Sequence, residues 1–507
     1  MLKNLNHKIS ILIKKYEYKQ FQQVIDESIV ILKKNDNDFL WNLTGLSFQN
    51  LFKIKKSIDC FENALKINSK NFSALNNLGL SYKMLKDYSK AEEYLLKAKK
   101  INPKYVNALV NLGNIKNDTY HLKDALFYYQ KALKLNKNLP IINFNISNIY
   151  RSTNKINEAK KYLDDAIKLD EKFTMADQKL TLLEKYTKDN PHIKVMLNKL
   201  EKKELSNNQK AYLQFGLSKV YRDINDFEKS IFHLIKANKT LRALIKYDIQ
   251  IHKSLSNKIK SFFSKIDYKK YIQSGKGKGH IFILGMPRSG TSLVEKIVSS
   301  HSKVSSISEA NFIPEKIYEN INKGYESFID FLKSDFESQY KSFLKAFNIK
   351  NNIILDKTLT NFWYVGFIKI FLPEAKIIHI LRNPKDNCLS IFENMFDIPE
   401  GWNSDQRELA EYYLIYTDIM KYWNSFFKDD LINIKYENLI LTSNTEIKHL
   451  IKKCDLNWEG RCLEYYKSEN PIKTVSFNQA NKPIYKTSIE KYKVYEKKLN
   501  NLFSKLN

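Results

Sequence analysis

Gly45, Gly79, Gly113 and Ser147 stand 34 residues apart, and a fixed period of that length commits the first half of the chain to a stack of similar units. In the same register Ala91, Ala125 and Ala159 recur twelve positions later, with Ser57 in the first unit, and Ala64, Ala98, Ala132 and Ala166 recur seven beyond those. Small residues at these places belong where two helices touch. Trp41, Leu75 and Leu109 before the glycine position, and Phe48, Tyr82 and Tyr150 after it, are large enough to fill the gap between neighbouring hairpins. Pro103 closes the second unit, because proline cannot continue a helix.

The pattern resembles the tetratricopeptide repeat, with units at 38–71, 72–105, 106–139 and 140–173. Residues 1–37 read as a degenerate opening hairpin, and 211–244 revive the pattern through Ser218, Tyr221, Ser230, Leu234 and Ala237. The expectation is an all-α solenoid of about six helix pairs over 1–250. Such arrays expose one row of side chains on a concave face, where extended peptides or partner proteins bind. The row would contain Asn42, Asn76, Asn114, Asn117, Asn148 and Arg151. Amides there could hold a peptide backbone, although an asparagine-rich chain also puts asparagine there by composition alone.

A chain of 507 residues has room for two or three domains. Its formal charge of +29 would suggest nucleic acid, but the excess is lysine spread over nearly every helix face, which reads as solvated surface. Arginine is more informative. Only seven occur against 77 lysines, and arginine is the side chain that grips phosphate or sulfate in a fork. Four scattered cysteines give neither a disulfide framework nor a zinc motif. No long apolar run or signal peptide is present, so the expected location is the cytoplasm, with no membrane span and no metal.

Residues 251–279 read as a helix followed by a glycine-rich linker ending Ser-Gly-Lys-Gly-Lys-Gly, and 280–507 as an α/β domain. Short apolar runs at Ile281–Leu284, Ile353–Leu355, Ile377–Leu381 and Leu431–Ile434, each followed by helix-like sequence, imply a mostly parallel sheet with its ligand at the carboxyl ends of the strands. At the first of these ends Gly285 and Gly290 bracket a turn before the helical stripe Leu293, Val294, Ile297, Val298. A turn of this kind aims backbone N–H groups and the helix dipole at an anion. The spacing is that of a nucleoside-triphosphate P-loop, but Thr291-Ser292 follows Gly290 where that loop has lysine. Arg288 offers a forked cation instead.

Pro287-Arg288-Ser289-Gly290-Thr291 after a strand resembles the 5′-phosphosulfate loop of the sulfotransferases, which bind 3′-phosphoadenosine 5′-phosphosulfate. That resemblance demands a second anion site for the 3′-phosphate. Ile377-Ile-His-Ile-Leu-Arg382 ends a later strand, and Ser390 follows on the next helix, an arginine-serine spacing similar to the family's 3′-phosphate motif. An Arg-x-Pro-x-Asp turn alone is more often structural, a salt bridge or a helix cap, and only its pairing with the first loop favours a phosphate site. Further positions resemble protein-tyrosine sulfotransferases: Ser308-Glu309 with the segment of the catalytic glutamate, Asp356-Lys357 with that of the catalytic lysine, Lys435-Tyr436-Glu437-Asn438-Leu439 with a Tyr-Glu-Asp-Leu motif, and Ser476 to Pro483 with a loop that closes over the nucleotide. The resemblance spans roughly 280–495, and the layout is similar to bacterial tetratricopeptide-sulfotransferase proteins.

It implies transfer of a sulfuryl group to an acceptor hydroxyl, possible candidates including protein tyrosine, with the repeats binding the acceptor or a partner protein. Glu309 would be the general base, and Lys357, Arg288 and Ser476 would steady the bridging oxygen as it gains charge. Pro287, Arg288, Ser289, Gly290, Thr291, Ser292, Arg382, Ser390, Tyr436, Ser476 and Lys482 would hold the nucleotide. A free carboxylate near pKa ~4 is a weak base, so Glu309 should be partly buried. His301 and His379 are weaker candidates for the base, and core or capping roles suit them better. Two other classes remain open on residues alone: a P-loop ATPase or kinase, and a non-enzymatic scaffold with a relic nucleotide domain. Acceptor identity would rest with variable loops such as 396–405.

Overall fold

The computed structural model describes the chain except residues 1, 203, 397–399, 469, 472, 473, 475–479 and 507, and of residues 2–4 the backbone alone. It forms two compact units, Met1–Asn145 with Lys345–Asn348, and Ile146–Leu344 with Ile349–Asn507. The later repeats belong to the same compact unit as the sheet.

In the first unit, helices Leu2–Glu17 and Phe21–Leu32 make the opening hairpin, and Asp38–Asn50 with Ile54–Ile67, Phe72–Met84 with Tyr88–Ile101, and Val106–Asp118 with Leu122–Leu135 follow at the sequence period. Asn37, Asn71 and Asp87 start their helices by accepting a backbone N–H three residues on. The glycine position is a contact point: a Cβ on Gly113 would lie 2.4 Å from the Tyr129 ring. Ala64, Ala91, Ala98, Ala125 and Ala132 are fully buried.

The asparagine row is largely turned to internal use. Asn77 Nδ2 donates to Asn42 Oδ1 at 2.9 Å, Asn76 Nδ2 to Asn77 Oδ1 at 3.1 Å, Asn111 Nδ2 to Asn76 Oδ1 at 3.0 Å and Asn145 Nδ2 to Asn114 Oδ1 at 3.2 Å. Asn42, Asn76 and Arg151 are buried, while Asn114, Asn117 and Asn148 are half-buried. The amides thus join successive repeats in a ladder.

The repeats continue through Pro140–Ser152 and Ile156–Leu169 and through Asn207–Asp223 and Phe227–Leu244. Between them lies a pair at the next step of the 34-residue period that lacks its small-residue signature, Thr174–Thr181 and Pro191–Glu201, so the described residues hold seven hairpins rather than about six. Its first helix is short, and its core is Tyr186, Ile193 and Met196 against Leu213 and Leu217. The next segment, a helix followed by the glycine-rich stretch, has fixed contacts. Phe263, in helix Gln250–Lys265, is buried with its ring 4.9 Å from that of Trp423, and Gln273 N donates to Ile370 O at 2.9 Å. Gly277 adopts a φ of 89°, and a Cβ there would lie 2.8 Å from Leu372. Its glycine serves a left-handed backbone and a close approach.

The sheet has strands β1 (His280–Leu284), β2 (Val304–Ser308), β3 (Ile353–Asp356), β4 (Lys376–Leu381) and β5 (Leu431–Lys435), all parallel, in the order β2-β3-β1-β4-β5. Four of the five match the expected apolar runs. β2 has the sequence Val-Ser-Ser-Ile-Ser, and as an edge strand it needs few apolar residues, which hid it. Ile281, Ile283, Leu355, Ile378 and Ile380 form the sheet's share of a core closed by Val294, Ile297 and Val298 of the helix Thr291–Ser299. The strand order reverses at β1, so its carboxyl end opens the crevice where open parallel sheets bind ligands.

Candidate active site

Each strand delivers its notable residue at its carboxyl end. β1 leads into the Gly285–Gly290 turn, β2 into Glu309, β3 into Lys357, β4 into Arg382 and β5 into Tyr436. In-register pairing aligns these ends, with Leu381 opposite Lys435 and both Phe282 and Ser308 opposite Asp356. Arg382 and Tyr436 therefore stand on one side of the turn, Lys357 and Glu309 on the other.

The turn is tightly determined. Arg288 takes a left-handed φ of 66°, and Gly290 one of 109°. A Cβ on Gly290 would lie 2.5 Å from the Tyr436 ring, so the backbone here approaches closer than any side chain allows. Ser289, Thr291 and Ser292 are buried at the helix start, and Pro287 O accepts from Asn387 Nδ2 at 2.8 Å. Ser292 Oγ lies 2.8 Å from Thr474 Oγ1.

The two arginines form one cluster. Arg288 Nε donates to Ser390 Oγ at 3.0 Å, joining the turn to the helix Pro384–Phe392. Arg382 Nη1 donates to Arg288 O at 2.7 Å and Nη2 to Ser488 O at 2.8 Å, while its guanidinium lies 4.7 Å over the Tyr436 ring. Burial, and then the neighbouring Arg382 cation, push the Arg288 guanidinium down to about 10, so it stays charged at neutral pH. Two buried donors, Arg382 Nε and Ser289 Oγ, have no hydrogen-bond partner among the described residues. Unsatisfied donors beside two guanidiniums and a helix start fit a polyanion. The adjoining cleft is lined by Arg288, Gly290, Arg382, Tyr436, Tyr465 and Tyr485. Asn383 caps the helix Pro384–Phe392, so the turn after Arg382 has a structural function as well.

On the other side Lys357 is wholly buried and ion-paired with Glu309, whose side chain is 43% exposed. Glu309 is thus nearly half open, where partial burial was expected. A bulge between Ser306 and Ser308, with Ser308 at a φ of 50°, turns the chain out of β2 just before it. Lys357 N donates to Ser308 O at 2.9 Å, which ties the two strand ends together. Burial works against the Lys357 charge, but the carboxylates of Glu309 and Glu295 hold its pKa above the ordinary value.

The histidines have structural roles. His379 Nδ1 lies 2.9 Å from Asn433 Oδ1 and Nε2 2.6 Å from the Tyr416 hydroxyl, and burial lowers its pKa to about 4. His301 Nε2 lies 2.8 Å from Asn457 O. Ser476 falls outside the described residues, as do 397–399 of the variable loop. Lys482 is exposed, and its carbonyl accepts from the Tyr465 hydroxyl at 2.7 Å. Sequence reasoning missed the segment after it. The Ser488 carbonyl occupies Arg382, Ser488 Oγ lies 2.8 Å from the Tyr436 hydroxyl, and Asp386 accepts the N–H groups of Glu490 and Tyr492 at 2.6 and 2.9 Å. It also missed Glu295, which stands beside Lys296 in the helix Thr291–Ser299. Among the described residues no group of three or more His, Cys, Asp or Glu side chains could hold a metal ion, and no helix is long and apolar enough to cross a membrane.

Residues 280–460 match the model of the sulfotransferase family, and tetratricopeptide-repeat models match 72–105, 106–139 and 141–173. The chain is a tetratricopeptide-repeat protein carrying a sulfotransferase-family domain. An uncharacterized protein of Aquifex aeolicus (strain VF5) is 32% identical over 339 residues, which are 62% of this chain and 44% of that protein. The chain thus spans less than half the length of that relative. Among solved structures, MamA is 21% identical with a TM-score of 0.29, covering 32% of this chain and 95% of its own. Pseudomonas aeruginosa pilF is 18% identical with a TM-score of 0.34, covering 44% and 95%. Likenesses at this distance carry no functional argument.

Proposed function

We propose that the protein transfers a sulfuryl group from 3′-phosphoadenosine 5′-phosphosulfate to an acceptor hydroxyl, and that its repeats bind the acceptor or a partner protein. The observation that carries this reading is the joining of Arg288, Arg382 and Ser390 into one half-buried cluster with two buried donors, Arg382 Nε and Ser289 Oγ, that have no partner among the described residues, beside a helix start. A nucleotide with phosphate groups at both ends of its ribose meets that demand. Arg382 and Ser390 would take the 3′-phosphate, and the turn from Pro287 to Ser292 the 5′-phosphosulfate. Tyr436 backs Arg382, and the exposed Lys482, with Ser476, belongs to the loop assigned to closure.

Chemistry then falls on the Lys357 side. The acceptor oxygen attacks sulfur, its proton passes to the Glu309 carboxylate, and the sulfur–oxygen bond to the leaving phosphate breaks with its electron pair on that oxygen. Lys357 neutralises the charge that gathers there, with Arg288 and Ser476 as further donors. Each preorganised donor of this sort is worth about 3 kcal/mol in the transition state. A carboxylate in an ion pair is a poor proton acceptor, so Glu309 works as a base only after Lys357 turns toward the leaving oxygen. An acceptor of protein or peptide class, tyrosine among its hydroxyls, agrees with the repeats and with the resemblance of the Glu309 and Lys357 segments.

Calorimetry with 3′,5′-diphosphoadenosine tests the nucleotide site. Binding should occur without magnesium and weaken at least tenfold in Arg288→Ala and Arg382→Ala, about 1.4 kcal/mol or more each. Label transfer from the phosphosulfate donor to a peptide library, lost in Glu309→Ala, tests the reaction. Wild-type protein that binds no diphosphoadenosine would sink the reading, and magnesium-dependent ATP turnover would replace it with the kinase or ATPase class.

A further inference from the structure

Glu295 lies one turn into the helix that follows the loop, and it is 2% exposed. Its Oε1 accepts from Ser306 Oγ at 2.7 Å. Its Oε2 lies 3.7 Å from Lys357 Nζ and has no hydrogen-bond partner among the described residues. Lys357 thus has two carboxylates of unlike character around a single ammonium: Glu309, nearly half open, and Glu295, enclosed and anchored. A buried carboxylate with an oxygen lacking a donor is costly and needs a compensating charge.

The other charges nearby have partners of their own, among them Glu400, which lies near Glu309 and accepts from Trp402 Nε1 at 2.7 Å. Asp356, next to Lys357 in β3, accepts from the Tyr340 hydroxyl at 2.8 Å and from Thr358 N at 2.9 Å. Lys296, beside Glu295 on the helix, turns to the backbone carbonyls of Ser468 and Asn470. Glu309 and Glu295 are therefore the carboxylates ion-paired with the Lys357 ammonium among the described residues.

We propose that Glu295 is a positioning residue, an internal counter-ion that stays on Lys357 when the ammonium leaves Glu309 for the oxygen released by sulfuryl transfer. The proposal rests on the sulfotransferase reading of the site. Transfer needs Glu309 unpaired to take the acceptor proton and Lys357 charged to meet the leaving oxygen. With Glu309 as sole partner, separating them would strand an ammonium in a buried place, where desolvation favours its neutral form. Glu295 removes that conflict, because Ser306 holds its carboxylate still and it has no route to solvent. The edge strand β2 acts twice, presenting Glu309 beyond its bulge and orienting Glu295 through Ser306.

Glu295→Gln keeps the shape and the Ser306 partner but removes the charge. In that variant kcat should fall about tenfold near pH 8 and the alkaline limb of its pH profile move down by about one unit, while KM for the phosphosulfate donor and the affinity for diphosphoadenosine stay within about twofold. Glu295→Asp should restore part of kcat. A second readout needs no turnover: in protein labelled with ¹³C-lysine, the Lys357 Cε resonance, assigned through Lys357→Arg, should titrate about a unit lower in Glu295→Gln. If Glu295→Gln fails to fold, Ser306→Ala, which frees the carboxylate without removing it, should lower kcat about threefold at unchanged KM. An unchanged Lys357 titration and an unchanged pH profile overturn the counter-ion. Loss of donor binding in the wild type overturns the sulfotransferase reading instead, and the resonance still reports on Glu295.

Discussion

At His379 a titratable ring is enclosed in the sheet between Asn433 and Tyr416, and at His233 and His280 two more are buried, with all three pKa values lowered to about 4 by desolvation. Their ordinary value is near 6.5, so between pH 6.5 and 4 the unfolded chain binds protons that the folded chain refuses. Stability should therefore decline as pH falls through that window, each ring contributing about 1.4 kcal/mol of loss at pH 5.5. Urea unfolding at pH 7.0 and 5.5 checks this, and His379→Gln should show the smaller difference between the two. At this scale Arg288 and Arg382 stood out by residue type and position after a strand, whereas Lys357 and Glu309 stood out only by resemblance to protein-tyrosine sulfotransferases. Glu295 was not, because the helical stripe Leu293, Val294, Ile297, Val298 announces a buried face and says nothing of which strand end it will meet.

Elements carry a different lesson. The repeat helices follow from the 34-residue period because small residues must recur wherever hairpins touch, as Gly113 against Tyr129 illustrates. The asparagine row followed from the same register, yet its use depended on distances between neighbouring first helices. Asn76 accepts from Asn111 and donates to Asn77, so Asn76→Ala should lower unfolding stability by about 1–2 kcal/mol. A purely peptide-binding amide would instead reduce partner capture and leave the urea midpoint unmoved. The edge strand β2 and the hairpin 174–201 escaped notice for related reasons: one has too few apolar residues to make a run, the other keeps the spacing but has Ile193 and Leu200 where the pattern has alanine. The glycines at 275, 277 and 279 all have left-handed backbone, and at Gly277 a close approach to Leu372 requires glycine as well, a need that composition cannot tell from a linker's.

Across the second compact unit, Glu393 at the end of the helix Pro384–Phe392 collects Arg222 from the repeat helix Asn207–Asp223, at 2.8 Å, and Lys491 from the carboxy-terminal segment, at 2.5 Å. Burial opposes its charge, but these two cations bring its pKa down to about 2, so the pair stabilises the fold above about pH 4.5 and is lost as pH falls through 2. Arg242 adds a second tie, its Nε donating to Glu408 at 2.6 Å. Arg222→Ala should cost about 2 kcal/mol by chemical unfolding at pH 7 and almost nothing near pH 2, because it takes one partner from a buried carboxylate. Arg222 was invisible as a structural residue in the sequence, where it lies 171 residues from Glu393. By itself the sequence determined the repeat type, the parallel α/β class and the candidate anion-binding arginines, because periodicity, apolar runs and residue chemistry are local properties. Only the tertiary structure decided which strand ends face one another, that Arg288 and Arg382 form one cluster, that Lys357 stands between an open and an enclosed carboxylate, and that the last repeats are built onto the sheet. Those outcomes depend on strand order and on packing between residues from 48 positions apart, as Glu309 and Lys357, to 171, as Arg222 and Glu393, which no local pattern encodes.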